Sequence, residues 1–224
     1  MTYFKSIYLY IKASVFFIVF APIMILCTMC FPSQLYNFAR FISKGIFRSF
    51  NITINIIGEF PIDGPYILMH NHTSFLDLFL LPTIIQGKYT GIIAKKNFNI
   101  PIIGYLLKKL HAIPIQRSNS SSAKESIKLA EDLIRKGFHI AIFPEGTRTL
   151  TGKLNSFKKG GFHMAVNTQT KILPIIVEGL YTIKPKTRWT IIPGTVKLII
   201  QEPVDVLNKT VTELLNEVES IYLK

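Results

Sequence analysis

Two side chains of the types needed for proton transfer stand close together within HNHTSFLD at residues 70–77. His72 and Asp77 lie five positions apart, directly after an apolar run. An imidazole can act as a general base when an acceptor holds its other ring nitrogen, and a carboxylate in the first turn of a following helix can be that acceptor. Ser74 and Asp77 also have the spacing of a capping box, which would explain the same residues without catalysis. Spacing alone leaves both interpretations open.

A second polar cluster, FPEGTR at residues 143–148, follows another apolar segment. Its glycine-containing turn can present backbone N–H groups to a phosphate, and Arg148 can present a guanidinium. Arg117 follows the segment AIPIQ and could approach the same anion, or it could be an ordinary solvated loop charge. Turns of this composition are common, so the cluster by itself indicates only a candidate anion site.

The alternation of strands and helices predicts an α/β fold, with a largely parallel sheet covered by helices on both faces. Apolar patterning predicts strands at 51–57, 65–71, 90–95, 111–116, 138–143 and 171–179, and a hairpin at 189–201. Helices are expected after Leu76, within 103–110, over 120–137 and from about residue 210. Because functional groups of such sheets collect at the carboxyl ends of the strands, we expect HNH, QR and PEGTR to meet there.

The first fifty residues have the composition of a membrane-binding segment. Residues 13–31 contain no charge and are long enough to cross the hydrocarbon core as a helix. They are longer than the apolar region of a cleavable signal peptide, and Pro22 predicts a kink or a break. Arg40, Lys44 and Arg48 then recur every four residues among apolar ones, which predicts a basic amphipathic helix in the membrane interface.

We therefore divide the chain into two parts, with membrane-anchoring helices at residues 1–50 and a catalytic domain at residues 51–224. Lys5 and Lys12 precede the apolar run and three cations follow it, so the positive-inside rule gives little asymmetry. A re-entrant or monotopic anchor is favoured for this reason, and a single membrane span is the alternative.

Net charge and cysteine usage limit the class of partner. The chain has 26 Lys and Arg against 13 Asp and Glu, a formal charge of +13, which indicates an anionic partner such as a lipid, a phosphorylated substrate or a nucleic acid. Cys27 and Cys30 are the two cysteines of the chain and both lie in the apolar run. A zinc site or a disulfide framework is therefore not expected, and a reducing, cytosol-facing location fits.

The order of the motifs carries more information than any one of them. NHTSFLD, KKNFNIPIIG, AIPIQR, FPEGTR, FKKGGFHMA and ILPIIV follow one another between about residues 65 and 180. In this order they closely resemble the glycerolipid acyltransferase family, whose typical members are the 1-acylglycerol-3-phosphate (lysophosphatidate) acyltransferases. Thr73, Gln116 and Thr149 depart from the residues frequent in that family, which could bear on the choice of acceptor.

The resemblance implies roles for particular residues. His72, rather than His70, removes the proton from the acceptor hydroxyl as it attacks an acyl thioester, and Asp77 orients the imidazole. The residues implied to bind the glycerol-phosphate portion of the substrate are Arg117, Glu145, Gly146, Thr147 and Arg148. The implied donor is acyl-CoA or acyl carrier protein, the acceptor is a membrane lysophospholipid, and neither a cofactor nor a metal is needed. The protein is expected at the cell membrane, where it contacts the anionic membrane surface. The catalytic domain is expected on the cytoplasmic side.

Three rival hypotheses remain at this point. The acceptor could be a lyso-ornithine lipid, another lysophospholipid or glycerol 3-phosphate. The chain could instead be a non-catalytic basic protein that binds anionic membranes or nucleic acid, although this leaves the His72 and FPEGTR motifs unexplained; with these motifs present we expect no nucleic-acid partner. A hydrolase could use the same site with water as the acceptor.

Overall fold

A computed structural model gives the structure of the chain and describes residues 2–116 and 120–223. Within these residues, seven strands form one sheet and eight α-helices surround it. The strands are β1 (Ile52–Ile57), β2 (Ile67–His70), β3 (Tyr89–Ala94), β4 (Ile113–Ile115), β5 (His139–Ile142), β6 (Ile172–Glu178) and β7 (Gly194–Ile200). The helices are α1 (Thr2–Cys30), α2 (Leu35–Ser49), α3 (Asp77–Leu80), α4 (Ile103–Lys109), α5 (Ser120–Arg135), α6 (Gly160–Thr168), α7 (Leu180–Ile183) and α8 (Val211–Tyr222).

The sheet has the strand order β1-β7-β6-β2-β5-β3-β4. Every neighbouring pair is parallel except β6 with β7, which is antiparallel. The central strands β2, β5 and β6 therefore end at the same edge of the sheet, and the segments that follow them meet there. This confirms the predicted α/β fold class and its largely parallel sheet.

Helices cover both faces of the sheet, as predicted. On one face, α1 and α2 pack against side chains such as Leu68, Leu173 and Val196. On the other face, α5, α6 and α8 pack against Ile67, Ile140 and Ile172. Consecutive strand residues point to opposite faces, so Ile67 and Leu68 are both fully buried, and the strands read as continuous apolar runs rather than alternating ones.

The predicted hairpin at residues 189–201 is wrong. Only Gly194–Ile200 forms a strand, and it already has β1 on one side and β6 on the other. The preceding residues leave the sheet and contact α1, where Ser6 Oγ donates to the carbonyl of Ile191 at 3.2 Å and accepts its N–H at 3.1 Å. The helix predicted after Leu76 is present but short: α3 is one turn long and gives way to a 3₁₀ turn containing Pro82.

The N-terminal helix α1 runs without a break through Pro22. It lies along α2, and a Cβ atom at Gly45 would come within 1.9 Å of the Phe16 ring, so a larger residue there would require the ring to move. Further contacts tie its first half to the rest of the chain, including a hydrogen bond from the Tyr10 hydroxyl to the Trp189 carbonyl at 2.7 Å. By length and composition alone, the segment Tyr3–Cys30, which contains an 18-residue window with a mean hydropathy of 2.4, is able to cross a membrane.

Candidate active site

His72 and Asp77 are brought together by the turn between β2 and α3. His72 Nδ1 lies 2.7 Å from Asp77 Oδ2. The same oxygen accepts the backbone N–H groups of Thr73 at 2.8 Å and Ser74 at 2.9 Å. Asp77 Oδ1 is buried and has no hydrogen-bond partner among the described residues. One carboxylate oxygen therefore holds both the histidine and the backbone of the turn before α3.

The hydrogen bond to Asp77 defines which nitrogen of His72 is free. A carboxylate oxygen accepts, so Nδ1 carries the proton and Nε2 of the neutral ring keeps its lone pair. The ring stacks on Phe143 at a centroid distance of 3.6 Å and an interplanar angle of 15°. Its side chain is 12% exposed, whereas that of Asp77 is fully buried. The geometry is that of an oriented general base with one nitrogen available to a substrate.

His70 occupies a different environment. It is 1% exposed, its ring lies edge-on to Phe143, and its Nδ1 is 3.1 Å from the carbonyl oxygen of Asn71. Burial lowers the pKa of His70 to about 4, against a smaller opposing effect of the Asp77 charge. His70 is therefore a neutral packing residue beneath His72.

The loop after β5 holds the backbone of His72 at both of its polar groups. Glu145 Oε1 accepts the N–H of His72 at 2.6 Å, and the His72 carbonyl accepts the N–H of Thr149 at 2.9 Å. Glu145 Oε2 accepts the N–H of Asn155 at 2.8 Å. Burial raises the pKa of Glu145, and the two N–H donors act in the opposite direction. The geometry gives Glu145 a bracing position, and its direct contact with a phosphate stays a prediction of the resemblance.

Asn71 positions the same turn from the other side, and sequence reasoning missed it. Its amide nitrogen donates to the carbonyl of Val177 and its amide oxygen accepts the N–H of Val177, both at 2.8 Å. A side-chain amide can donate and accept at the same time, so Asn71 attaches the His72 turn to β6. An asparagine after a strand is ordinary in sequence, and nothing local indicates a partner 106 residues away.

Gly146, Thr147 and Arg148 follow Glu145 in the loop after β5. Gly146 has φ +71°, a left-handed conformation that favours glycine, and Thr147 beside it is exposed. Arg148 is partly exposed and makes no hydrogen bond or ion pair within residues 2–116 and 120–223. Lys184, which sequence reasoning did not single out, lies close enough to Arg148 for their charges to interact. Arg117 lies outside the described residues.

Two cavities adjoin Phe143. The first, about 150 Å³, is lined almost wholly by apolar side chains of α1, α2, α3, α4 and β3, with His70 and Asp77 in its wall. The second, about 360 Å³, is lined by the segment from Pro144 to Thr147, by Lys158 and by apolar residues of α5 and β4. His72 stacks on Phe143, which lines both cavities together with Ile92 and Ile142, so an apolar chain and a polar group can approach the histidine from different sides.

Comparison with known proteins identifies the family of this chain. The family model described as Acyltransferase matches residues 51–178. The chain therefore belongs to the acyltransferase family.

Several relatives carry more specific names. A chloroplastic 1-acyl-sn-glycerol-3-phosphate acyltransferase of Arabidopsis thaliana is 35% identical over 176 residues, which cover 75% of this chain and 49% of that protein. A 1-acyl-sn-glycerol-3-phosphate acyltransferase of Pseudomonas aeruginosa is 32% identical over 140 residues, covering 62% of this chain and 53% of the relative. The chain thus spans about half the length of these relatives.

One solved structure is similar over nearly the whole chain. The crystal structure of PlsC, the 1-acyl-sn-glycerophosphate acyltransferase of Thermotoga maritima, superimposes with a TM-score of 0.85 at 26% identity. The match covers 99% of this chain and 92% of that one. The similarity therefore includes the N-terminal helices as well as the sheet.

Proposed function

We propose that the protein transfers an acyl chain from an acyl thioester to the free sn-2 hydroxyl of 1-acylglycerol 3-phosphate, giving phosphatidate. The observation that carries the proposal is the 2.7 Å contact of His72 Nδ1 with the buried Asp77, which leaves Nε2 available as a base. The printed names of the relatives and of the solved structure support the choice of acceptor.

The transfer takes place in one direct displacement at the thioester carbonyl. His72 Nε2 takes the proton of the acceptor hydroxyl as the oxygen attacks, and Asp77 holds the ring and stabilises the imidazolium. As the new C–O bond forms and the C–S bond breaks, the leaving thiolate recovers the proton from His72. The thioester is already activated, so no acyl-enzyme is needed. General-base catalysis of this kind contributes about 10²–10⁴-fold, and positioning of the two substrates supplies much of the rest.

The two substrates occupy different parts of the site. The apolar cavity beside His70 and Asp77 suits an acyl chain, since its walls offer hydrocarbon surface and few polar groups. Arg148, with the turn at Gly146 and Thr147, suits the phosphate of the acceptor. Acyl-CoA or acyl carrier protein is the donor, and no cofactor or metal takes part, so activity should survive treatment with a chelator.

The protein binds the membrane through the outer face of α1. Leu9, Ala13, Ala21 and Met24 bury the inner face of the helix against the rest of the protein. The outer face is apolar from end to end, with side chains that are 56–81% exposed, namely Phe4, Tyr8, Ile11, Val15, Ile18, Leu26 and Met29. A helix docked along its length cannot cross the bilayer without carrying the sheet with it, so a monotopic anchor on the cytoplasmic side fits better than a span.

An acceptor panel in neutral detergent tests the function. The purified protein receives labelled acyl-CoA or acyl carrier protein with 1-acylglycerol 3-phosphate, glycerol 3-phosphate, a lyso-ornithine lipid or another lysophospholipid, and the lipid products are separated. Phosphatidate as the main product supports the proposal. Acylation of another acceptor alone would reject the substrate, and release of free fatty acid in place of a diacyl lipid would reject transfer altogether.

A further inference from the structure

Lys184 is a buried cation at the end of α7. It is 7% exposed, and its Nζ lies 5.7 Å from the centre of the Phe75 ring. Nζ donates to the carbonyl of Pro185 at 3.0 Å and to the carbonyl of Arg188. An ammonium has three N–H donors, so one remains for another partner.

No carboxylate of the described residues forms an ion pair with Lys184. Arg188 beside it uses its guanidinium on the backbone carbonyls of Thr182, Ile183 and Thr190. Within residues 2–116 and 120–223, neither of these cations nor Arg148 forms an ion pair with an acidic side chain. Burial lowers the pKa of Lys184, and the charges of Arg148 and Arg188 lower it further. A buried cation among like charges is costly unless an anion joins it.

Lys184 stands between the two loops of the active site. Phe75, over which its ammonium lies, belongs to the turn between His72 and Asp77. On the other side, the Tyr181 hydroxyl donates to the carbonyl of Leu150 at 2.8 Å and so joins α7 to the loop that contains Arg148. An anion held between Arg148 and Lys184 would therefore lie beside the catalytic turn.

We propose that Lys184 binds the phosphate monoester of the acceptor together with Arg148. The inference rests on the proposed function and adds a binding residue outside the motifs that indicated the family. Arg188 is a positioning residue, because its hydrogen bonds to the α7 carbonyls shape the loop around Lys184. The phosphate supplies the missing negative charge, and the ammonium supplies its third N–H.

Two alternative roles for Lys184 would change different kinetic constants. A purely structural Lys184, which only caps the carbonyls of its loop, would affect the stability and kcat while leaving KM alone. A Lys184 that meets a phosphate of the donor would affect the KM for acyl-CoA rather than that for the acceptor. The KM values separate these cases and do not depend on what fraction of a preparation is folded.

The test compares Lys184→Gln, Lys184→Arg and Lys186→Met in neutral detergent. Glutamine keeps two N–H donors for the loop carbonyls but removes the charge, and Lys186 is an exposed lysine two residues away. We expect Lys184→Gln to raise the KM for 1-acylglycerol 3-phosphate about tenfold or more without changing that for acyl-CoA. Lys184→Arg should recover part of the loss, and Lys186→Met should behave as the wild type. An acceptor KM within about twofold of the wild type, or a rise in the donor KM instead, would overturn the inference.

A binding measurement separates failure of this inference from failure of the proposed function. Glycerol 3-phosphate should raise the Tm of the wild type and of Lys186→Met, and should raise that of Lys184→Gln much less. This readout needs no turnover. If the wild type makes no phosphatidate but the Tm difference is seen, the phosphate site stands and the acceptor assignment fails. Equal shifts in the three proteins would reject the phosphate site even if phosphatidate forms.

Discussion

Glu145 Oε1 accepts the backbone N–H of His72 at 2.6 Å, across 73 residues of sequence. The second oxygen of Glu145 accepts the N–H of Asn155, and the Thr149 N–H donates to the His72 carbonyl. The loop after β5 therefore holds the backbone of the proposed base, in addition to any contact it makes with substrate. A residue of the FPEGTR motif can therefore be essential for activity because it positions His72, even if it never contacts the substrate.

Replacement of Glu145 by glutamine distinguishes bracing from phosphate contact. The amide turns one acceptor into a donor that faces a backbone N–H, so the free energy of unfolding should fall by about 1–3 kcal/mol. We expect kcat to fall while the acceptor KM changes little, measured by steady-state kinetics and denaturant unfolding. The exposed Glu125→Gln in α5 serves as the control. A raised acceptor KM with normal kcat and stability would instead place Glu145 on the substrate.

The Asn71→Asp variant tests the attachment of the catalytic turn to β6. Aspartate cannot donate to the Val177 carbonyl, and its charge would face that oxygen, so the two 2.8 Å bonds become one bond and one repulsion. The free energy of unfolding should drop by about 1–3 kcal/mol, with a loss of kcat. Asn99→Asp, at an exposed position, is the matched control. Unchanged kcat in a stable Asn71→Asp protein would show that His72 does not depend on this attachment.

Part of the loss of folding stability at acidic pH should come from His70. In the unfolded chain its pKa is the ordinary 6.5, whereas burial lowers it to about 4 in the folded protein. Between these values the unfolded state binds a proton that the folded state does not, so the free energy of unfolding falls as the pH falls from 6.5. The full effect is about 3 kcal/mol near pH 4. Denaturant unfolding at several pH values should show that the free energy of unfolding falls less steeply with decreasing pH in His70→Asn than in the wild type. The same slope in both proteins would contradict the assignment of this effect to His70.

Membrane binding should depend on the outer face of α1. Ile18 and Leu26 are each 64% exposed, and Glu at both positions would place charges in the apolar region of the bilayer. The double variant should sediment poorly with anionic vesicles while the folded core is preserved. Leu129→Glu in α5, at a site that is 50% exposed, controls for the loss of surface hydrophobicity. Equal vesicle binding by both variants would exclude α1 as the anchor.

The parts of the site that sequence predicts are those encoded locally. His72 and Asp77 are five residues apart, and each strand of the central sheet is an apolar run, so spacing and patterning suffice for the pair and for the fold class. The contacts of Glu145 with His72 and of Asn71 with Val177 depend on which strands become neighbours. Lys184 becomes notable only because α7 packs onto the loop after Arg148. The predicted hairpin failed for a similar reason, since the residues before β7 are held by α1 rather than by a strand.

The most direct test of His72 as the general base is the kcat of the His72→Ala variant for phosphatidate formation at saturating donor and acceptor. We predict a loss of about 10²–10⁴-fold or more, with a folded protein and unchanged vesicle binding. His163→Ala, at an exposed position in α6, should keep wild-type activity. A His72→Ala protein that forms phosphatidate at a rate near that of the wild type would contradict the assignment of His72 as the base.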